Sequence, residues 1–369
     1  MKIICSKANL LYAVNTVSKA VPTRTTMAIL ECILIDASTD VIKLTANDME
    51  LGIETIVEGT VGERGVIALD ARTFTEIVRK LPDNEVTIET VEAFKTEITC
   101  EKARFEIVGK SGEDFSPLPV IDKKDEIVIS QLSFKDVIRQ TIFSVSDDES
   151  SKIMTGECFE IKGDRLRVIS LDGHRISVRN IILNQTYPDK KIIIPGKTLQ
   201  EISKILAGES EDSIEIYVGK NHCMFRYNNT TVVSRLIEGE FFKVDQMLVA
   251  EYDTLIRINK KELLDCIDRV TPLVKEGDKK PIIMNITDDK MELRIQSFIG
   301  SFNEDLDIQK EGKDIQIAFN PKFCLDALRV IDDEEISIYM RNAKSPCFIK
   351  DQEENYIYLI LPVNFNSGI

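Results

Sequence analysis

Only two histidines occur in the chain, His174 and His222, and only the first has a near carboxylate, in Asp172-Gly173-His174. An Asp and a His two residues apart could act as general acid and base, or as two ligands of a metal. Neither use is supported by its surroundings. No second histidine or carboxylate cluster at metal spacing accompanies the pair. A short Asp-Gly-His segment is also the ordinary composition of a turn whose Asp bonds the backbone. The chain contains no GxGxxG, GxxxxGK[ST] or GxSxG, so it shows neither a phosphate cradle nor a nucleophile elbow. His222, beside Cys223, reads as an exposed hairpin residue. The eight cysteines form no CxxC and mostly lie inside apolar segments. They read as buried free thiols of a reducing cytosol, not as disulfides or zinc ligands. We therefore expect no catalytic residues, no metal and no cofactor; a hydrolase built on Asp172 and His174 is the disfavoured alternative.

Cationic side chains carry a stronger pattern. Arg72 with Arg79, Lys197 with Lys204, and Lys322 with Arg329 each stand seven residues apart. That is two turns of an α-helix, so each pair shares a face. The chain as a whole is net −15, which taken alone argues against nucleic acid, since phosphate contact needs Lys and Arg. The distribution argues otherwise. Over the helical segments 6–20, 70–81, 131–146, 195–206, 259–275 and 320–331, Lys and Arg number 15 and Asp and Glu 8, leaving net +7 there and net −22 elsewhere. A solvated helix face with i,i+4 pairs to Glu76, Glu201 and Asp326 is the ordinary alternative. Recurrence in three places favours a surface for a phosphate backbone, read without base sequence. Trp is absent and no aromatic platform appears, so stacking on single strands is not indicated.

The elements that carry these residues recur three times at a spacing of about 125 residues. Each copy opens with an amphipathic helix: Leu10, Leu11, Val14, Val17 and Val21 in the first, Phe134, Ile138 and Val145 in the second, and Leu263, Leu264, Ile267, Val270 and Val274 in the third. An alternating strand pattern follows at 40–48, 164–172 and 289–297. A second helix comes next, with Phe74, Ile77 and Leu81, then Leu199, Ile202 and Leu206, then Cys324, Ala327 and Ile331 on its apolar stripe. Two further extended stretches close each copy: 85–89 and 96–108, 213–218 and 222–237, 335–340 and 346–362. Helices interrupting antiparallel-type strands define an α+β class. Linkers fall near 110–127 and 239–253. The chain is 43% hydrophobic and 30% charged, enough to bury several cores. No apolar run is long enough for a bilayer, and the short start is not expected to be a signal peptide.

With these residues in view, the chain resembles the bacterial DNA polymerase III beta subunit family, the sliding clamps, along nearly its whole length. Thr23-Arg24-Thr25-Thr26-Met27-Ala28-Ile29-Leu30 is similar to the family's segment after the first helix, with Ala28 where proline is usual. Leu44-Thr45-Ala46-Asn47-Asp48-Met49-Glu50, Asp172-Gly173-His174-Arg175-Ile176, Ser345-Pro346 and Tyr358-Leu359-Ile360-Leu361-Pro362-Val363 carry the rest. The chain departs from the family at Phe241-Phe242-Lys243-Val244, where Phe-Pro-Asp-Tyr is common, and at Asn364, where Arg is common.

The resemblance implies three similar domains of the DNA-clamp fold, at 1–120, 127–245 and 252–369, with helices lining the inside and antiparallel sheets outside a ring. It implies a head-to-tail homodimer that encircles duplex DNA without sequence preference. Partners would be the DNA polymerase III catalytic subunit, the clamp loader complex, and mismatch repair and translesion polymerases, with no membrane contact. The setting would be cytoplasmic and nucleoid-associated. DNA contact is expected from Arg24, Arg72, Arg79, Lys197, Lys204, Lys322 and Arg329. Carried over from the family, the subunit interface would use Phe105 and Ile107 on one side and Pro272 and Leu273 on the other. A groove for partner peptides would gather Met154, Leu171, Gly173, His174, Arg175, Ile176, Phe242, Met247, Ser345, Leu359, Leu361 and Val363, with His174 and Arg175 on its rim. An interaction scaffold of the same fold that never meets DNA is the alternative that the helix charge disfavours.

Overall fold

The computed structural model describes residues 1–92, 94–124, 126–206, 212–249, 251–274 and 280–365. Among the described residues six α-helices punctuate the antiparallel strands: α1 (Lys7–Val17), α2 (Ala71–Lys80), α3 (Gln131–Thr141), α4 (Gly196–Ile205), α5 (Lys260–Val270) and α6 (Pro321–Leu328). The starts are chemically marked. The side chains of Ser6, Asp70, Asn259 and Asn320 accept hydrogen bonds from Asn9, Thr73, Glu262 and Lys322 N–H and so cap α1, α2, α5 and α6. Each cap satisfies a backbone donor the helix cannot and contributes about 1 kcal/mol.

The chain divides into two compact units. The first holds Met1–Phe134 and Lys197–Leu236, the second Lys135–Gly196 and Ile237–Ile369. In the first unit a five-stranded sheet runs in the order Gly59–Glu63, Lys2–Ser6, Glu85–Thr90, Lys95–Cys100, Ala103–Val108. A nine-stranded sheet joins the first sequence copy to part of the second, because Leu51–Val57 pairs antiparallel with Thr230–Arg235. In the second unit, Arg175–Pro195 of the middle copy pairs in the same manner with Tyr356–Ile360 of the last, within a seven-stranded sheet. A four-stranded sheet there runs Ser301–Asp307, Lys290–Gln296, Ile282–Thr287, Ile315–Phe319. Helices α5 and α6 supply Leu263, Cys266, Ile267, Val270, Cys324, Leu325, Ala327 and Leu328 to that unit's main core. In the first unit α1 and α2 bury Leu10, Val14, Val17, Phe74, Ile77 and Val78.

Three expectations are corrected. Each copy opens on a strand, not a helix: Lys2–Ser6, Ile127–Ser130 and Thr254–Asn259 precede α1, α3 and α5. The long extended stretches 96–108, 222–237 and 346–362 are hairpins, each turning at a residue with positive φ: Glu101 (50°), Asn228 (46°) and Glu354 (57°). Asn228 is of a type that favours such a turn, but Glu101 and Glu354 are not, so composition does not announce those two turns. The helices expected at 131–146 and 259–275 give way to short 3-10 turns, Ile142–Ser144 and Thr271–Leu273, and residue 275 lies outside the described residues.

Candidate functional site

The Asp172 turn is built by its own side chain. Gly173 takes φ 86°, a left-handed value suited to glycine. Asp172 Oδ1 accepts the N–H of His174 (2.9 Å) and of Arg175 (3.1 Å), and Oδ2 accepts Arg175 Nε (2.9 Å). The carboxylate thus holds the turn's backbone and the Arg175 side chain. The His174 ring is instead stacked on Phe323, centroids 6.1 Å apart.

Arg175 corrects the sequence reading. It does not rim a groove but is buried, 6% exposed. Its fork donates to Asp172, to Asp326 Oδ2 (2.7 Å) and to the Phe143 carbonyl (2.5 Å). The guanidinium lies over the Phe323 ring at 4.3 Å and the Phe143 ring at 5.3 Å. Arginine is the side chain suited to such a site, since its planar fork serves three acceptors and two ring faces at once.

Around this turn an apolar cluster forms from distant segments. Leu171 pairs with Ile176 across the turn, and Ile176 pairs with Leu359 on the C-terminal strand. All three are buried together with Phe241, Val244 and Phe348, and Met154 packs against them half-buried. Phe242 is 41% exposed and meets Phe241 edge-on at 6.0 Å. Leu361, also exposed, donates its N–H to the His174 carbonyl (2.9 Å). Met247, 52% exposed, lines a surface cavity of ≈ 350 Å³ with Val249, Arg341, Ser345, Pro346 and Phe348. Val363 is not in this cluster: its N–H is bonded to Ala318 O (2.8 Å), on the strand Ile315–Phe319. Phe241 and Val244 belong to the Phe241-Phe242-Lys243-Val244 segment noted in the sequence, whereas Phe348 was missed; the unbroken apolar run Cys347-Phe348-Ile349 after Ser345-Pro346 was the available signal.

The seven cations expected to meet DNA are all on the surface. Arg24, Arg72, Arg79, Lys197, Lys204, Lys322 and Arg329 are exposed. Four have carboxylate partners: Arg79 with Glu76 (2.6 Å), Lys197 with Asp48 (2.6 Å), Lys204 with Glu201 (2.7 Å) and Arg329 with Asp268 (3.0 Å). The expected i,i+4 pattern is not the one formed: Arg79 and Lys204 reach back three residues, and Asp326 turns inward to Arg175. The pairs of Arg79 and Arg329 are exposed on both sides and are worth about 0–1 kcal/mol each, whereas the Asp48 carboxylate that Lys197 meets is buried.

Phe105 and Ile107 lie on Ala103–Val108, the outer strand of the five-stranded sheet. Phe105 is 37% exposed, so it is not closed in a core. Pro272 is exposed on the turn Thr271–Leu273, while Leu273 packs half-buried on the second unit's main core. A second open edge was missed by the sequence reading: Ser301–Asp307, outermost in the four-stranded sheet, carrying Glu304, Asp305 and Asp307.

The eight cysteines are buried, and burial pushes the thiols of Cys5, Cys158, Cys266 and Cys324 up to about 12. Among the described residues no group of three or more His, Cys, Asp or Glu is placed to hold a metal. Nor is any helix among them long and apolar enough to cross a membrane.

Three strand–helix repeats joined edge to edge by antiparallel sheets, with basic pairs on the second helix of each, define a three-domain sliding-clamp fold. Comparison with known proteins agrees. Residues 1–119, 128–243 and 245–364 match the N-terminal, central and C-terminal domains of the DNA polymerase III beta subunit. The chain belongs to the DNA polymerase III beta subunit family. It is 34% identical over 360 residues to the beta sliding clamp of Staphylococcus aureus, covering 95% of each chain. A crystal structure of the Bacillus subtilis DNA polymerase sliding clamp superposes with TM-score 0.96 at 33% identity, over 99% of this chain and 100% of that one. A Eubacterium rectale chain assigned to the DNA polymerase III beta subunit shares 68% identity with TM-score 0.96, over the same shares.

Proposed function

We propose that this protein closes into a homodimeric ring around duplex DNA and tethers replication proteins to it, without catalysing a reaction. The observation that carries this reading is the exposed basic pair, two helical turns apart, on α2, α4 and α6 and their last turns, in a chain that is net −15. Contacts of this sort take phosphates in any sequence. Linkage to DNA is then topological, and equilibrium affinity stays weak. The test is retention on nicked circular DNA after loading, followed by linearisation. Release on linearisation supports encirclement; equal retention on linear and circular DNA refutes it.

The ring would form head to tail. Ala103–Val108, with Phe105 exposed and Arg104 on its edge, faces outward in one unit; Ser301–Asp307, rich in acids, does so in the other. An open strand edge presents unpaired backbone groups, and two unlike complementary surfaces close a ring when the rotation permits. Pro272 and Leu273 would pack beside the second edge. Native mass spectrometry at micromolar concentration should give dimer, and Phe105→Asp should give monomer.

Partner proteins, among them the polymerase catalytic subunit, the clamp loader, and mismatch repair and translesion polymerases, would dock short linear peptides on the cluster around Leu171, Ile176 and Leu359. Exposed Phe242, Met247 and Leu361 beside a ≈ 350 Å³ cavity support this. Methionine adapts to varied apolar ligands. A labelled peptide ending in a Gln-Leu-x-Leu-Phe-like motif should bind the native protein and lose affinity on Met247→Ala with Leu361→Glu. Point variants serve here because Leu359 and Ile360 are laddered into the sheet, so removing their strand would disturb the fold.

A further inference from the structure

The first unit contains a groove of the same build as the one just described. Its strands Ile42–Asn47 and Leu51–Val57 turn at Met49, φ 75°, as the middle copy turns at Gly173, φ 86°. Asp48 Oδ1 accepts the N–H of Glu50 (3.0 Å) and Leu51 (2.7 Å), as Asp172 does for the residues after it. Across the sheet Gly52 pairs with Val233, where the second unit pairs Ile176 with Leu359. A cavity of ≈ 270 Å³ opens there, bounded by Met49, Gly52, Leu118, His222, Val233 and Arg235 among others.

One position differs in kind. Ile176 has a side chain to fill its place; Gly52 has none. Leu118 Cδ2 lies 2.2 Å from where a Cβ on Gly52 would stand, so the leucine rests on bare backbone. Leu118 also packs on Ile121, Tyr217, Met224 and Val233. Phe115 and Ile121, three residues to either side, are buried, while Pro117 and Pro119 are exposed and Val120 is 99% exposed. A period of three with prolines between is that of a polyproline II segment presenting one face. Among the described residues, no backbone hydrogen bond ties Ser116–Lys123 to a sheet. The segment is held by side chains alone, in the manner of a docked proline-rich peptide.

The geometry points to Phe115–Ile121 as a built-in ligand that closes the first unit's counterpart of the peptide groove, leaving one open groove per chain. This rests on the peptide-groove reading of the second unit. Leucine on glycine gives the plug its fit, and covalent attachment keeps its effective concentration high. A free peptide of the same chemistry, an apolar residue between prolines, occupies the site only once the plug is withdrawn.

The two histidines separate the sites: His222 lines the cavity left open beside Leu118, and His174 lies at the open groove. The protein labelled with 13C-histidine gives one ring signal for each, assigned with His222→Gln and His174→Gln. In the unaltered protein the Gln-Leu-x-Leu-Phe-like peptide should move His174 only. In Leu118→Ser, the peptide Phe-Ser-Pro-Leu-Pro-Val-Ile should move His222, which it leaves still in the unaltered protein. Gly52→Ala is the second variant: its added methyl would stand 2.2 Å from Leu118 Cδ2 and displaces that end of the leucine from the backbone, so the plug is less firmly seated and trypsin should cut after Lys123 or Lys124 roughly tenfold faster, while the free peptide still fails to move His222. An unmoved His222 in Leu118→Ser at millimolar peptide, or unchanged cleavage in Gly52→Ala, overturns the proposal. Failure of the first peptide to move His174 in the unaltered protein counts instead against the open groove.

Discussion

Replacing Glu157 with Gln should change how the stability of this protein depends on pH. Glu157 stands on strand Gly156–Leu171, the strand that ends at the Asp172 turn, and it is fully buried opposite Ile194. Neither carboxylate oxygen has a hydrogen-bond partner. The nearby Thr141 hydroxyl donates to Val137 O (2.7 Å), so its one hydrogen is taken. Burial pushes the Glu157 carboxyl up to about 8. The folded state thus holds a proton that the unfolded chain releases near pH 4.3. Stability from this group is complete below that value and is lost as pH rises toward about 8. Each pH unit in that window removes ~1.4 kcal/mol, so going from about pH 5 to about pH 8 removes about 4 kcal/mol. Gln has nearly the same shape and does not titrate. The unfolding free energy of Glu157→Gln minus that of the native protein should therefore climb by about 4 kcal/mol over the same interval, whatever its offset. Urea unfolding followed by far-ultraviolet circular dichroism at several pH values measures it. A constant difference would mean that the carboxyl is ionised and solvated in the fold, and the reasoning from burial would be wrong.

Arg175→Ala should destabilise the second unit by roughly 3–5 kcal/mol, because it strands Asp172 and Asp326 without their buried partner; Arg175→Lys should recover only part of this in thermal unfolding, since an ammonium cannot bridge the same acceptors. Charge reversal at Arg72 and Lys322 should shorten retention on circular DNA and lower the salt slope by about one unit for each phosphate that is no longer neutralised; unchanged retention would remove those helix faces from the DNA surface. Native protein should resist a thiol-labelling reagent until it unfolds, since all eight cysteines are buried; rapid labelling of even one would place that thiol at the surface.

Periodicity and side-chain chemistry made much of this protein legible before any coordinates. The three copies, the six helices and most of their apolar stripes follow from spacing, because a helix that buries one face must repeat its apolar residues near every 3.6 positions; Val21, Val145 and Val274, counted in the stripes, lie beyond the helix ends. The recurring cations were readable for the same reason, and they stand exposed on their helices. The Asp-Gly-His segment was readable as a turn because its chemistry is local. Tertiary structure alone decided what depends on distant partners. Glu101 and Glu354 turn their hairpins through positive φ values that their residue type does not announce. Arg175 looks like a surface arginine in sequence; Asp326, 151 positions away, and two phenylalanine rings make it a buried tie. Glu157 looks like any strand glutamate until packing removes its water. Gly52 acquires meaning only when Leu118 is found lying on it. Local pattern specifies an element through its own backbone and neighbours. The charge state of a buried group, and the fit of a side chain against a surface, are set by atoms that folding brings from elsewhere in the chain.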